Sequence, residues 1–401
     1  MSAGLAAGAL EPRLHESMAS GVTGNALRHE LGRLHLALGG STELASIVRA
    51  ELTPLETEIP GGSPNVSFDF VRSIKPLSVY SVASPVKTSK DAFQVDYAGL
   101  NYHVEGSTAS LRVSIAPAKS GRREKLPISA QRFFDWNYLS VEEIRAKNFM
   151  YGVFDYLTHI AQLQLGQSYI HASSLERGCE GTAIVAWGGI GKTSAALKLI
   201  TEHGFNFLSD DLGLVDDAGT VWRTPKRLQV YAYNLEGEER LRSMLLDGRS
   251  VLDRASWAWK LQRRGPKGVR RRVSAEELFG ERSVARSAPL KRVFCLERGD
   301  ARGFEAREIS TDELTHRAAE VVMHEIEPFG LLSRALHSGH HAPLLPTQDE
   351  VVSATRAVLR RAFDGIPSWN IAVPLSATPS ELANYLLAKI ASEGALSEHD
   401  G

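Results

Sequence analysis

Residues 169–211 read YIHASSLERGCEGTAIVAWGGIGKTSAALKLITEHGFNFLSDD, and their centre is Gly188-Gly189-Ile190-Gly191-Lys192-Thr193. With Ala186 in front, the pattern is A-x-x-x-x-G-K-T, a Walker A phosphate loop with Ala in place of its first Gly. Glycines allow backbone N–H groups to turn inward and cradle phosphate oxygens. The Lys192 ammonium reaches the outer phosphates, and the Thr193 hydroxyl is placed to ligate Mg²⁺. Trp187, Gly188, Gly189, Ile190, Gly191, Lys192, Thr193 and Ser194 are therefore the candidate nucleotide contacts. A helix beginning here points its positive end at the anion.

The flanks supply the context that this motif requires. Thr182 to Ala186 is an apolar, β-branched run that reads as a buried strand. Ser194 to Ile200 reads as a helix packing through Ala195, Ala196, Leu197 and Leu199, and Gly204 stands where a helix C-cap glycine belongs. Phe205 to Leu208 reads as the next strand, and Ser209-Asp210-Asp211 closes it. Paired carboxylates at the carboxyl end of such a strand lie where open α/β sheets hold ligands. They can bind Mg²⁺ and take a proton from an attacking hydroxyl, so Asp210 and Asp211 are candidate catalytic residues and Thr193 and Asp210 candidate metal ligands. Which Asp is base and which is ligand stays open. His171, just before the loop strand, is the remaining catalytic candidate, with Lys192.

This succession (H-A-S-S, strand, GGIGKT, helix, Gly, strand, S-D-D) resembles the catalytic core of bacterial HPr kinase/phosphorylase. It looks still more like the HPr-kinase-related proteins that carry an H-A-S motif, with a fold akin to phosphoenolpyruvate carboxykinase. The likeness covers His171 to Asp211 and extends to about Asn234. It implies ATP with Mg²⁺ and phosphorylation of a hydroxyl. On that reading Gly188 to Thr193 hold the phosphates, the Asp pair supplies metal ligand and base, and His171 sits beside the transferring group. The family's downstream I-E-x-R-G-L-G signature is missing. The second metal-binding Glu, the reverse phosphorylase activity and HPr as substrate therefore fall outside the resemblance. Glu236, Glu238 and Glu239 are the nearest later carboxylates.

Elsewhere the composition is ordinary: 43% hydrophobic, 23% charged, net charge -1, and two cysteines. That balance favours no global attraction to nucleic acid or membrane, and two cysteines fit a reducing, cytoplasmic setting. The first 21 residues have the small residues of a loose tail and no signal-peptide pattern. Ala26 to Leu38 shows leucines at helical spacing, with Gly39-Gly40 as its stop and Ser41 or Thr42 capping a second helix through Leu52. His29 and His35 read as surface residues. From Asn65 apolar residues alternate, which predicts antiparallel strands. Ser140-Val141-Glu142-Glu143 opens a long helix with a capping box, placed against the kinase sheet. Asp216 to Gly219 marks a turn. Arg223, Lys226 and Arg227 follow it, and Arg223 and Arg227 are low-ranked substrate contacts. Arg263 to Arg272 carries six cations and reads as a flexible loop that can grip anions, with Trp257 and Trp259 nearby. His337, His340 and His341 cluster between Gly and Pro, but without partner cysteines.

The expected architecture is α/β: a P-loop kinase core of the HPr kinase/phosphoenolpyruvate carboxykinase type with an N-terminal helical plus β-rich domain. The expected parts are a tail and helices over 1–60, a small β-rich domain over 61–135, the kinase domain over 136–393 and a frayed tail over 394–401. The expected activity is ATP- and Mg²⁺-dependent transfer to a hydroxyl of a protein, peptide, small molecule or RNA. A P-loop ATPase or phosphatase, or a non-catalytic ATP-binding module, remains open beside it. Expected partners are the hydroxyl-bearing substrate and a further copy of the chain in a homo-oligomer. Nucleic acid enters only through 263–272, and no membrane is expected.

Overall fold

The computed structural model describes residues 27–57, 63–78, 81–83, 86–118, 127, 139–338 and 344–397. The expected loose tail before residue 27, the charged stretch 119–125, and His340 and His341 lie outside them. The chain is mixed α/β. None of its described helices is long and apolar enough to cross a membrane.

An eight-stranded sheet comes first: β1 (Leu27–Leu31), β2 (Leu34–Gly40), β3 (Val66–Phe70), β4 (Ser81–Ala83), β5 (Val86–Thr88), β6 (Ala92–Tyr97), β7 (Leu100–Ser107) and β8 (Ser110–Pro117), in the order β1-β2-β3-β8-β7-β6-β5-β4. The alternation read after Asn65 yields β3, β6, β7 and β8, although β3 runs parallel to both its neighbours. The helix expected over Ala26–Leu38 is instead the β1–β2 hairpin, with Leu31 opposite Leu34. Leucines at 27, 31, 34 and 38 satisfy a helical repeat, but 34, 36 and 38 also alternate, and Gly32 (φ 62°) adopts the left-handed conformation that a two-residue hairpin turn needs. Arg33 ties this turn to the rest of the fold. It donates to Asp216 and Asp217 at 3.2 and 2.9 Å, and its backbone N–H meets Gln167. His29 is wholly buried and bonded to the Leu52 carbonyl, not on the surface. Thr42 does cap α1 (Glu43–Leu52).

Ser140 opens α2 (Val141–Asn148) with a complete capping box. The helix widens into a π-helical segment, Phe149–Phe154, and continues as α3 (Asp155–Leu163). Its aromatics face the N-terminal sheet: Phe149 packs on Phe68 and Phe70 with ring centroids 5.2 and 5.4 Å apart, and Phe154 on Phe68 at 5.5 Å. One apolar cluster runs from Leu36 through these rings to Tyr169, Leu214 and Val322. The long helix is therefore wedged between the two sheets and does not serve the second sheet alone.

The second sheet holds β9 (Gln167–Ile170), β10 (Ala172–Arg177), β11 (Glu180–Val185), β12 (Asn206–Ser209), β13 (Gly213–Asp216), β14 (Thr220–Trp222), β17 (Ser287–Gly299), β18 (Glu305–Glu308) and β19 (Ser368–Pro374). Its path is β12-β10-β11-β17-β14-β13-β9, with β19 parallel to the far half of β17 and β18 antiparallel to β19. The helix after the glycine loop, α4 (Lys192–His203), buries Ala195, Ala196, Leu197 and Leu199 and ends at Gly204 in the left-handed conformation. β15 (Leu228–Tyr231) and β16 (Arg270–Val273) form a separate ladder, joined through α5 (Glu239–Leu246) and α6 (Val251–Arg264). The stretch expected to be a flexible basic loop thus ends in a paired strand. Its alternating Arg side chains find partners: Arg271 clamps Asp253 and lies over Trp257, and Arg272 clamps Glu51 with both its terminal nitrogens.

After α7 (Ala275–Phe279), a 27-residue helix, α8 (Thr311–His337), packs beside α9 (Gln348–Ala362), and α10 (Pro379–Ser397) closes the described chain. The last helix runs to Ser397, into the stretch from 394 expected to be a frayed tail. His337 bonds the Leu345 carbonyl.

Between α3 and α9, His159 is fully buried. One ring nitrogen meets the Thr355 hydroxyl at 2.9 Å and the other the Tyr169 N–H at 3.5 Å. Burial pushes its pKa down to about 3. The folded state therefore refuses a proton that the unfolded chain accepts below about pH 6.5, so this contribution to stability is lost as pH falls from about 6.5 toward 3. We expect His159→Gln to flatten the pH dependence of unfolding free energy by about 1.4 kcal/mol per pH unit between pH 6 and 4, measured by urea titration. Parallel curves for the two proteins would refute this.

Candidate functional site

Three strand ends meet at one edge of the second sheet. β10 runs antiparallel to β11 with Ala172 opposite Val185, and antiparallel to β12 with Ser174 opposite Ser209. The start of β10 and the ends of β11 and β12 therefore coincide, which brings together His171, the glycine loop and Asp210-Asp211. The strand after the loop helix pairs with β10, not with the loop strand. His171 occupies the bend between β9 and β10, where the chain leaves its β13 partner for β11 and β12.

The loop itself is open. Gly189 (φ 80°) and Gly191 (φ 112°) take left-handed conformations, and a methyl group added at Gly188 or Gly189 would meet no atom within 4 Å. No side chain caps α4 at Gly191, so its first N–H groups face the loop. Trp187, Gly189, Ile190, Gly191, Lys192, Thr193 and Ser194 line one pocket together with Tyr233. Trp187 is half exposed, its ring edge-on to His324. The Ser194 hydroxyl accepts from Asn234 at 2.6 Å, holding the α4 start against the turn after β15.

Lys192 is buried. Its ammonium donates to His171 Nε2 at 2.6 Å and to the Ala186 carbonyl at 3.4 Å. Burial lowers its pKa, against the pull of Asp210, Asp211 and Glu325. Burial and the Lys192 charge push His171 down to about 4, so at neutral pH it is uncharged. With Nε2 accepting from Lys192, its proton lies on Nδ1. That nitrogen is buried without a hydrogen bond, 3.7 Å from Asp211 Oδ1 and 3.5 Å from Glu325 Oε1.

The two aspartates differ. Asp210 is buried and accepts the Ser173 hydroxyl at 2.5 Å and the Thr193 hydroxyl at 3.1 Å on both oxygens. Burial raises its pKa while Lys192 and the two hydroxyls pull it down. Asp211 is a quarter exposed and sits at φ 73°, a conformation that L-residues rarely adopt and that aims its carboxylate at His171.

Glu325, from the middle of α8, is a site residue that the sequence reading missed. One atom from each of His171, Asp211 and Glu325 lies within 4.8 Å of the other two; with the His171 proton on Nδ1, the two carboxylates are the oxygens there that suit a divalent cation. Burial raises the Glu325 pKa, and the Asp211 charge raises it further. The nearer acids are elsewhere: Glu238 pairs with Lys198, and Glu236 and Glu239 are exposed. The helical repeat of α8 predicts a helix at Glu325 but holds no hint of what it faces.

Of the three cations after β14, Arg223 leaves the site: it pairs with Glu276, and its backbone bonds Arg286. Arg227 is half buried, and its Nε lacks a partner. Lys226 is the one coupled to the site. It is buried in an ion pair with Asp155, lies 3.8 Å from the Tyr151 ring centroid, and its charge is felt at both Asp211 and His171.

The chain matches no protein-family model and no curated protein. Among solved structures it is similar to the HPr(Ser) kinase/phosphatase from Coxiella burnetii, at 12% identity over 57% of this chain and 99% of that one, with a TM-score of 0.25. At that score the two backbones superpose too little to argue from.

Proposed function

We propose that this chain is an ATP-dependent phosphotransferase that acts on a hydroxyl acceptor. The observation that carries the reading is the convergence, at one sheet edge, of an open glycine loop, a buried Lys192 ammonium, the Thr193–Asp210 pair and the more exposed Asp211. Binding alone requires no second carboxylate in strained backbone beside a neutral histidine.

The residues fit a nucleotide with Mg²⁺. The uncapped α4 start and the left-handed glycines present N–H donors to phosphates, and Lys192 supplies a fixed charge at the loop head. Thr193 and Asp210 would hold the metal, with the Asp211 and Glu325 carboxylates beside them. Held there, Mg²⁺ would supply positive charge against the phosphates. Asp211 takes the acceptor's proton as the acceptor oxygen bonds to the γ-phosphorus and the bond to departing ADP breaks. Lys192 holds the charge that accumulates on the phosphoryl oxygens. His171 stays neutral and positions the Lys192 ammonium through the Nε2 contact.

The test is incubation with γ-³²P-ATP and Mg²⁺, with and without cell extract divided into protein, RNA and small molecules, beside Lys192→Ala. Label entering one fraction and lost in the variant is the expected result. ATP binding with neither label transfer nor phosphate release would overturn the reading.

A further inference from the structure

Next to Asp211 the fold assembles cations that the transfer chemistry above does not use. Tyr151, in the π-helical segment, has Lys226 3.8 Å and Arg272 5.0 Å from its ring centroid, and its hydroxyl accepts from Gln229 at 3.3 Å. Both Lys226 and Tyr151 lie within electrostatic range of Asp211. Lys147, four residues before Tyr151, is half buried within range of Arg270 and Arg272. Arg270 is exposed and donates to the Tyr231 hydroxyl at 2.5 Å. Tyr231 stacks on Tyr233, which lines the glycine-loop pocket. A continuous wall thus runs from the nucleotide side past Asp211.

Its charge is not balanced from within. Lys226 is matched by Asp155 and Arg272 by Glu51. Lys147 and Arg270 have no acidic partner among the described residues, and burial and the Arg270 and Arg272 charges hold the Lys147 pKa below its ordinary value. Lys147 on α2 and Arg270 on β16 are left unmatched beside the two matched pairs, and folding brings them together against their repulsion. An anion at the mouth of the wall would offset it.

We propose that the acceptor is a small anionic molecule, a hydroxyl compound bearing a phosphate or carboxylate, and that Lys147 and Arg270 hold that anionic group. Lys226 and Arg272 form the charged floor beneath it. The inference rests on the phosphotransferase reading for the hydroxyl, but the anion subsite is testable without it.

The experiment is calorimetric titration of the full chain with inorganic phosphate and, separately, acetate, after saturation with Mg²⁺ and a β,γ-imido ATP analogue. We expect binding of at least one anion, weakened at least 10-fold in Lys147→Ala/Arg270→Ala while the affinity for the analogue is unchanged. The anion that binds identifies the group. If the analogue fails to bind, the nucleotide reading falls. The anion titration then proceeds on Lys192→Ala, which removes the loop's own attraction, and still reads the wall. Absence of binding by both anions, equal binding by wild type and the double variant, or loss of binding only on adding an RNA competitor with wild-type affinity for the double variant would each overturn the proposal.

Discussion

Asp211→Asn is expected to lower phosphoryl transfer by about 10²–10⁴-fold, the usual worth of a positioned general base, and to leave stability within ~0.5 kcal/mol of wild type. The choice of Asn follows from the backbone. Asp211 sits at φ 73°, where Asn is tolerated best after Gly, so the exchange removes basicity without straining the turn. The side chain is a quarter exposed and has only a 3.7 Å approach to His171, so little packing is disturbed. Asp210 would be a poorer probe, because three contacts from two hydroxyls hold it in the buried interior and its loss mixes structure with chemistry. Single-turnover transfer with urea unfolding alongside gives both quantities. Full activity in a folded Asp211→Asn protein removes the base from the mechanism.

The largest expected loss of stability is at a neighbouring pair. Lys226→Met strips the cation from Asp155, both partners being almost wholly enclosed. Removing one member of a buried pair costs about 3–5 kcal/mol, because the other stays behind as an uncompensated charge. Burial already pushes Asp155 up to about 6 against the pull of Lys226. Without Lys226 it takes up a proton more readily, so the deficit is greatest above pH 6 and shrinks on acidification. Asp155→Leu together with Lys226→Met removes both charges and should recover most of the loss. Urea titrations of wild type, single and double variants at pH 7.5 and 5.5 measure this. A single-variant loss below about 1 kcal/mol would show that the pair is not structurally required.

Local pieces were readable because local rules govern them. The glycines of 188–191, the strand before them and the helix that ends at Gly204 follow from residue type and spacing over a few positions. So do the capping box at Ser140 and the turn at Asp216–Gly219. The hairpin at 27–40 was misread because its leucines satisfy two periods at once, and only the pairing with β3 makes the extended form the one that buries them.

What depended on distant contacts was not readable. No pattern says that β12 pairs with β10, that Arg272 turns inward to Glu51 across 221 residues, or that Lys226 rather than Arg223 stands near Asp211. Glu325 shows this most sharply. Its helix is evident from periodicity, but its presence 3.5 Å from His171 comes from how α8 lies against the sheet. The sequence by itself determined the phosphate-loop pattern, the acidic pair and the helix ends, since backbone sterics and capping act within a turn or two. The tertiary structure decided which carboxylate stays accessible, which histidine nitrogen carries the proton and which cations gather beside Asp211. Burial and charge depend on neighbours that only the folded chain supplies.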